Sequence, residues 1–297
     1  MVASVVVLLA AYNGMEWIEE QVQSILNQKN VVLDIYLSVD VSTDGTEKFC
    51  AELTAKYDNI HMLPYGERFG DAASNFYHLI KNVDVSGYDF ISFSDQDDIW
   101  YEDKLFRAVT KLSSGEYAGY SSNVLAFWRD GRTKIINKSQ KQVEYDFLFE
   151  SAGPGCSIVI NKNIACAFRK ILIESDEIKE IEYHDWFVYA LARSSGCKWY
   201  IDALPSMKYR QHERNQIGAN NSWRAAMKRI SMIQSGWYRS QIKRTISVLS
   251  IHDQFLFRCL SDRSLSSRIL LLKNINKIRR KFSERVFFFV IVAMGLF

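Results

Sequence analysis

Short apolar runs alternate with amphipathic stretches along the first third of the chain. The apolar runs are rich in β-branched residues and comprise Ser4–Ala10, Asp34–Asp40, Ile60–Pro64 and Tyr88–Ser94, with a length and composition typical of buried strands. Between the first two, apolar residues recur with a helical period over Glu16–Asn27. This alternation predicts an α/β fold, with βαβ units on an open, mostly parallel, Rossmann-like sheet over residues 1–115. Ligands of such sheets bind beyond the carboxyl ends of the strands.

The pattern changes twice further along the chain. Over residues 116–221 short apolar runs mix with helical stretches, and we interpret this part as the acceptor half of one domain spanning residues 1–221. Over residues 222–297 the sequence becomes helical, basic and rich in Ile, Leu and Phe. This composition predicts a C-terminal helical appendage that associates with a membrane surface. The alternative is that the appendage packs on the first domain.

The appendage ends in an apolar run, Val286–Phe297. Its twelve residues are fewer than the roughly 20 that a helix needs to cross a bilayer, so we expect peripheral attachment. The alternative is that this run is the opening of a longer apolar stretch. The apolar start of the chain, Met1–Tyr12, lacks the basic residues of a signal peptide and is better interpreted as a buried strand.

Composition argues against several classes of function. The formal net charge of +3 is too small to indicate nucleic acid binding. The five cysteines are scattered without a C-x-x-C pair, which argues against a disulfide framework or a zinc site and is typical of a reducing compartment. The glycines form neither a dinucleotide-binding string nor a P-loop.

Three carboxylates directly follow the last predicted strand. They are Asp95, Asp97 and Asp98 in the string Phe93-Ser94-Asp95-Gln96-Asp97-Asp98-Ile99-Trp100. Like charges this close oppose one another's ionisation unless a cation shares their field. Mg²⁺ and Mn²⁺ prefer such oxygen ligands and also bind diphosphates. The string therefore indicates a divalent-cation site, and the alternative is a solvated acidic turn.

The same string, with Lys104-Leu105 after it, resembles the metal-binding Asp-x-Asp motif of family 2 glycosyltransferases. It is similar to that of the rhamnosyltransferase-like subgroup, which builds O-antigen and capsule chains. Two further strings occur in the family's order, Ala11-Tyr12-Asn13-Gly14 and Asp40-Val41-Ser42-Thr43-Asp44-Gly45-Thr46. The resemblance covers residues 3–220 and implies the glycosyltransferase A-type fold.

The resemblance implies a donor site built from the early motifs. By the family's pattern, the nucleotide sugar contacts Ala11, Tyr12, Asn13, Asp40, Asp95 and Gln96. The divalent cation, Mg²⁺ or Mn²⁺, is implied to be bound by Asp97 together with Asp95 and His212. Where the family usually has two aspartates in its second motif, this chain has Val39-Asp40. Asp40 is therefore the residue expected to contact the base or ribose.

Three later strings supply the expected catalytic base and acceptor site. His184-Asp185-Trp186 resembles the family's base motif and implies that Asp185 is the catalytic base, although an aspartate at a helix start is also a common N-cap. The string that begins Tyr209-Arg210-Gln211-His212 and continues to Asn215 and Gly218 resembles a subgroup motif and implies that Arg210 binds the diphosphate. Gly153-Pro154-Gly155-Cys156 is similar to the acceptor loop. The acceptor residues implied in this way are Gly155, Cys156, His184 and Trp186.

Together these resemblances imply an inverting glycosyltransferase. The expected reaction moves a sugar from a nucleoside-diphosphate donor, dTDP-rhamnose or a UDP-hexose, to a polyprenyl-diphosphate-linked saccharide in surface polysaccharide synthesis. The expected location is the cytoplasmic side of the inner (plasma) membrane, with peripheral attachment. One alternative is a nucleotidyltransferase, although the basic, Gly-rich loop of that class is absent from Ala11–Gly14. Another is a non-catalytic, membrane-associated protein that binds nucleotide sugars.

Overall fold

The computed structural model describes residues 2–212, 227 and 231–297. The chain forms two compact units, the first of residues 1–139 with 152–218 and the second of residues 140–151 with 219–297. The predicted boundary between residues 221 and 222 lies outside the described residues and stays a prediction. Asn215 and Gly218 of the last sequence motif lie outside them as well. The sequence did not predict that residues 140–151 belong to the second unit.

The first unit contains two sheets. In chain order the strands are β1 (Ser4–Ala11), β2 (Val32–Val39), β3 (Ile60–Met62), β4 (Phe90–Ser94), β5 (Ile99–Trp100), β6 (Gly119–Ser122), β7 (Val124–Trp128), β8 (Thr133–Ile136), β9 (Val159–Asn161), β10 (Trp199–Asp202) and β11 (Met207–Gln211). The seven-stranded sheet has the order β10-β6-β9-β4-β1-β2-β3, and the four-stranded sheet has the order β5-β11-β7-β8. In the larger sheet β9 runs antiparallel to β4 and β6, whereas the other pairs are parallel. The predicted mostly parallel α/β sheet is thereby confirmed.

Helices cover the larger sheet, which accounts for the near-continuous apolar strands. The helices of this unit are α1 (Ile18–Leu26), α2 (Thr46–Lys56), α3 (Ala72–Asn82), α4 (Lys104–Leu112), α6 (Lys162–Glu174) and α7 (His184–Ser194). The five residues Val5–Leu9 of β1 are completely buried, as expected for a parallel strand covered on both faces. Because β1, β2 and β4 are parallel neighbours, the segments that follow their carboxyl ends meet at one edge of the sheet.

The described part of the second unit is helical. Its helices are α5 (Asp146–Phe149), α8 (Trp237–Val248), α9 (Gln254–Leu260), α10 (Leu265–Lys273), α11 (Ile275–Ile278) and α12 (Phe282–Ala293). The completely buried Arg280 lies 3.5 Å from Asp146 and 3.1 Å from Glu150, and these contacts explain why residues 140–151 belong to this unit. No helix among the described residues has the length and apolar composition that a membrane crossing requires.

Candidate active site

The segments after β1 and β2 are joined by hydrogen bonds into one surface. The Asn13 N–H donates to Ser42 Oγ (3.0 Å), and the Thr43 N–H donates to Asn13 Oδ1 (2.8 Å). The Gly14 N–H donates to Thr46 Oγ1 (2.8 Å). Asn13 has a φ of +46°, a left-handed conformation that asparagine tolerates better than most residues. The two sequence motifs expected to bind the nucleotide are therefore held together before any ligand is present.

Gln96 connects this surface to the aspartate loop. Its Oε1 accepts the Tyr12 N–H (2.7 Å) and its Nε2 donates to the Tyr12 carbonyl (2.8 Å). A Cβ atom on Gly14 would lie 2.2 Å from Gln96 Oε1, so the close approach requires glycine. The Tyr12 side chain remains 54% exposed. Gln96 thus fixes the backbone of the loop while leaving the Tyr12 ring accessible.

Asp40 lies at the end of β2, buried among backbone donors. Its Oδ1 accepts the Phe69 N–H (3.1 Å), and its Oδ2 accepts the Gly70 N–H (2.9 Å). These bonds hold the loop that leads into α3. Contact of Asp40 with a base or ribose stays a prediction.

The aspartate loop brings several carboxylates close to one another. Burial, followed by the charge of Asp97, raises the pKa of Asp95 to about 7. Burial, then the charges of Asp97 and Asp95, raise the pKa of Asp98 well above its usual value. One oxygen of Asp98 accepts the Arg210 N–H (3.0 Å), whereas Oδ2 is buried without a hydrogen-bond partner among the described residues. A divalent cation would relieve this repulsion.

Cys156 lies against these carboxylates. One ligand atom from each of Asp95, Asp98 and Cys156 falls within 4.8 Å of the others. The thiol is completely buried, and burial, together with the charge of the two aspartates, raises its pKa well above the usual value. Because a neutral, buried thiol is a poor nucleophile, Cys156 contributes packing beneath the loop. Its role as an acceptor contact stays a prediction.

Asp97 and His212 form a close pair of potential cation ligands at the edge of the aspartate loop. His212 Nε2 lies 2.7 Å from Asp97 Oδ2, although the two residues are far apart in sequence. The imidazole stacks on the Trp17 ring, with centroids 4.2 Å apart and planes 18° apart. Carboxylate oxygens are the ligands that Mg²⁺ and Mn²⁺ prefer, and a neutral imidazole is a common metal ligand in proteins. The structure therefore brings together Asp97 and His212, which the sequence motifs had placed in one site.

Arg210 supports this cluster with partners that the sequence did not predict. Its Nε donates to the Asp97 carbonyl (2.8 Å), and its Nη2 forms an ion pair with Glu20. Its guanidinium carbon lies 4.7 Å from the centroid of the Phe127 ring. Arg210 thereby joins α1, the aspartate loop and β11. Binding of a diphosphate by Arg210 stays a prediction.

Lys104 is a part of the site to which sequence reasoning assigned no role. It is completely buried, with Nζ 3.2 Å from Ser92 Oγ and 3.1 Å from the Trp100 ring centroid. Burial lowers the pKa of Lys104 to about 7, an effect that Cys156 and Asp98 partly oppose. A signal was present in the sequence, since a lysine at the start of a helix is disfavoured by the helix dipole. Such a residue needs a compensating partner.

The start of α7 brings the predicted base towards the same loop. Asp185 lies in the first turn and is partly exposed, while the N-cap is Tyr183, so the alternative role of Asp185 as an N-cap is wrong. Asp185 lies near enough to Asp95 for its charge to contribute to the raised pKa of that residue. The structure thus places the predicted base beside the predicted cation site.

His184 and Gly155 pack together behind Asp185. A Cβ on Gly155 would lie 2.7 Å from His184 Nε2 and 3.4 Å from the Asp185 Cβ. The His184 ring lies 4.0 Å from that of Phe76, and burial lowers the pKa of His184 to about 3. His184 is therefore neutral near pH 7. Trp186 is buried, and the acceptor roles predicted for these residues stay predictions.

Sequence comparisons agree with this geometry. The model of the family described as "Glycosyl transferase family 2" matches residues 6–170. A dTDP-rhamnosyl transferase RfbG of Shigella flexneri is 42% identical over 291 residues, 97% of this chain and 100% of the relative. A putative teichuronic acid biosynthesis glycosyltransferase TuaG of Bacillus subtilis (strain 168) is 25% identical over 156 residues, 52% of this chain and 60% of the relative.

Two solved structures share the fold at low sequence identity. S. aureus TarS 1-349 in complex with UDP-GlcNAc has a TM-score of 0.54 at 12% identity, covering 98% of this chain and 88% of the other. Mannosyltransferase PcManGT from Pyrobaculum calidifontis, in complex with GDP-Man and Mn²⁺, has a TM-score of 0.53 at 14% identity, covering 99% and 80%. These likenesses concern the fold alone.

Proposed function

The chain belongs to the family 2 glycosyltransferases, and from this premise we propose that it transfers rhamnose from dTDP-rhamnose to a growing surface polysaccharide. One observation carries the proposal: the nucleotide loop, the aspartate loop and Asp185 converge at the carboxyl edge of one sheet. Between the two expected donors, dTDP-rhamnose is favoured over a UDP-hexose because the S. flexneri relative is a dTDP-rhamnosyl transferase.

Asp185 acts as the general base of an inverting displacement. Its carboxylate accepts the proton of the acceptor hydroxyl while that oxygen forms a bond to the anomeric carbon. The bond from the anomeric carbon to phosphate oxygen breaks, and its electron pair leaves with dTDP. A positioned base commonly accelerates such a step about 10²–10⁴-fold. Asp185 is suited to the role because it is partly exposed and lies near Asp95.

The donor set around Asp97 fits Mg²⁺ or Mn²⁺. Asp97 and His212 would hold the cation, since their side chains lie 2.7 Å apart, and Asp95 is near enough to Asp97 to feel its charge. When bound, the cation would neutralise charge on the departing diphosphate. Gln96 holds the backbone of Tyr12 next to the aspartate loop through two hydrogen bonds. Arg210 donates a hydrogen bond to the Asp97 carbonyl and so fixes the backbone of that residue.

The acceptor is a saccharide linked to a polyprenyl diphosphate, and the enzyme works peripherally at the cytoplasmic side of the plasma membrane. The distribution of charge supports this location. The first unit has 21 Lys and Arg against 28 Asp and Glu, whereas the second has 16 against six. The net positive charge of the second unit is suited to an anionic membrane surface.

Product analysis tests the proposed reaction. The protein is incubated with dTDP-rhamnose, Mn²⁺ and lipid-linked or soluble saccharide acceptors, and dTDP release is expected to require an acceptor. UDP-hexoses serve as competing donors. Pyrophosphate release from dTTP and a sugar phosphate would identify a nucleotidyltransferase instead. Saturable binding of nucleotide sugars without turnover on any acceptor would favour the non-catalytic alternative.

A further inference from the structure

Helix α12 is apolar apart from Ser283, Glu284 and Arg285 in its first turn, yet many of its apolar side chains are exposed. Phe288, Ile291 and Val292 are buried within the second unit. The opposite face consists of Phe282, Val286, Phe287, Phe289, Val290 and Met294, each at least 39% exposed. A helix that is hydrophobic all round is normally covered on every side. The exposed face therefore calls for a partner.

The exposed side chains form a continuous stripe. Phe282, Val286 and Val290 are four residues apart, so they lie above one another on the same helix face. Phe282 is 76% exposed and the two valines are 49% and 46% exposed. This face contains no acidic residue, since Glu284 lies towards the buried side. Contiguous apolar patches of this kind mark interaction sites.

Helix α10 extends the patch. It packs against α12. Arg268, in the middle of α10, has a guanidinium nitrogen 2.7 Å from where a Cβ on Gly295 would lie, and Gly295 lies just after the end of α12. The middle of α10 therefore lies beside the end of α12. Leu265, Ile269 and Lys273 are exposed along one face of α10 at the same four-residue spacing. We define the docking surface as Leu265, Ile269 and Lys273 together with Lys281, Phe282, Val286 and Val290.

Positive charge borders the apolar stripes. Lys273 and Lys281 are exposed, and neither forms an ion pair in the described part of the chain. The whole second unit has 16 basic and six acidic residues. A second copy of this chain would bring two such basic surfaces together, since a twofold interface pairs the same patch with itself. An anionic bilayer instead complements both the apolar and the basic parts.

We propose that the docking surface binds the anionic leaflet of a membrane, with α12 lying in the plane of the interface. Phe282, Val286 and Val290 enter the boundary between headgroups and acyl chains, and Lys273 and Lys281 contact lipid phosphates. This assignment gives the membrane location proposed above specific contacts. It also separates that location from sugar transfer, because these residues belong to the second unit and the donor site to the first.

Flotation of the full-length protein with vesicles tests the surface. We compare phosphatidylcholine vesicles with vesicles that also contain phosphatidylglycerol, at low and high salt. The wild type is expected to bind only the anionic vesicles and to be released by salt. The triple variant Phe282→Gln, Val286→Gln, Val290→Gln should bind about a hundredfold more weakly, because three apolar side chains no longer gain burial. The double variant Lys273→Gln, Lys281→Gln should bind about 30-fold more weakly.

Matched controls lie in the first unit. The triple variant Ile135→Gln, Ile173→Gln, Leu204→Gln removes three apolar side chains that are 54%, 58% and 65% exposed, and Arg129→Gln with Lys134→Gln removes two exposed charges. Both controls should float like the wild type. Circular dichroism and acceptor-dependent dTDP release with a soluble saccharide are measured on every variant.

Several outcomes would overturn the proposal. If the wild type does not bind anionic vesicles at low salt, the proposed membrane contact is wrong. The proposed transferase function stands in that case if dTDP is still released. Unchanged flotation of the α12 variant would exclude this face. A shift from dimer to monomer in that variant, with unchanged flotation, would assign the face to a second copy. Wild-type binding that survives both salt and alkaline washing would identify an integral rather than a peripheral attachment.

Discussion

Both units of the molecule bury charged groups, but they compensate them differently. In the first unit the buried Asp98 and the poorly exposed Asp95 have carboxylate neighbours, and their pKa values are raised. In the second unit the completely buried Arg280 contacts both Asp146 and Glu150. In the second cluster opposite charges meet within the protein itself, which offsets part of the free-energy cost of burying them.

The difference indicates what each cluster contributes. Groups with strongly perturbed pKa values tend to gather where a ligand completes the charge balance. The ion-pair cluster of Arg280, Asp146 and Glu150 instead fixes the short segment 140–151 within the second unit. We therefore expect substitutions in the first cluster to remove activity while preserving the fold, and substitutions in the second to lower stability.

The largest effect is expected for Asp97→Asn. Replacing the carboxylate by an amide should reduce dTDP release by about 10³-fold, the upper range for loss of one charge-stabilising group. It should also weaken Mn²⁺-dependent binding of dTDP, measured by calorimetry, without changing the unfolding midpoint. Asp130→Asn, at an exposed aspartate that pairs with Arg132, serves as the control. Full activity in Asp97→Asn, or wild-type activity that survives exhaustive chelation, would contradict the cation role.

Arg280→Met should remove the ion pairs of the second cluster, those of Arg280 with Asp146 and Glu150. Two buried carboxylates would lose their partner, and the free energy of unfolding is expected to fall by about 3–5 kcal/mol. The midpoint of urea denaturation measures this change. Arg258→Met, at an exposed position in α9, should change the free energy of unfolding by less than about 0.5 kcal/mol. If the Arg280→Met protein is as stable as the wild type, the attraction within the ion pairs only offsets the free-energy cost of desolvating their charges.

Asp185→Asn separates catalysis from binding. Donor affinity should stay unchanged, while kcat falls about 10²-fold or more, because the base acts only in the transition state. Calorimetric titration with dTDP-rhamnose and single-turnover kinetics measure the two quantities. Weaker donor binding with an unchanged rate at saturation would assign Asp185 a positioning role instead.

The smallest effect is expected for Trp17→Leu. Loss of the ring on which His212 stacks should weaken Mn²⁺ affinity in the presence of dTDP about fivefold, in line with the usual value of an aromatic pair. Trp17→Phe should retain most of the affinity. Trp128→Leu, at a similarly half-buried tryptophan beside Arg132, is the control. Equal Mn²⁺ affinity in Trp17→Leu and wild type would show that Trp17 does not position His212.

The sequence by itself determined the parallel sheet and the edge that carries the site. Buried strands such as Val5–Leu9 are recognisable because both faces must be apolar, and the polar segments after them mark the carboxyl ends. The motifs around Tyr12 and Asp97 could therefore be placed at one edge from the sequence, whereas the role of Asp185 came only from the family resemblance. These features are local, because each depends on a few consecutive residues.

Tertiary structure alone decided which side chains meet. The contacts of His212 with Trp17 and Asp97 join segments nearly 200 and 115 residues apart, and no periodicity in the chain encodes such pairs. Likewise, Arg280 explains the place of residues 140–151 only through its partners Asp146 and Glu150. Local pattern fixes the type and direction of an element, because it reflects backbone geometry and burial. The partner of a charged side chain depends on which distant element supplies the complementary charge, and only the folded chain specifies that.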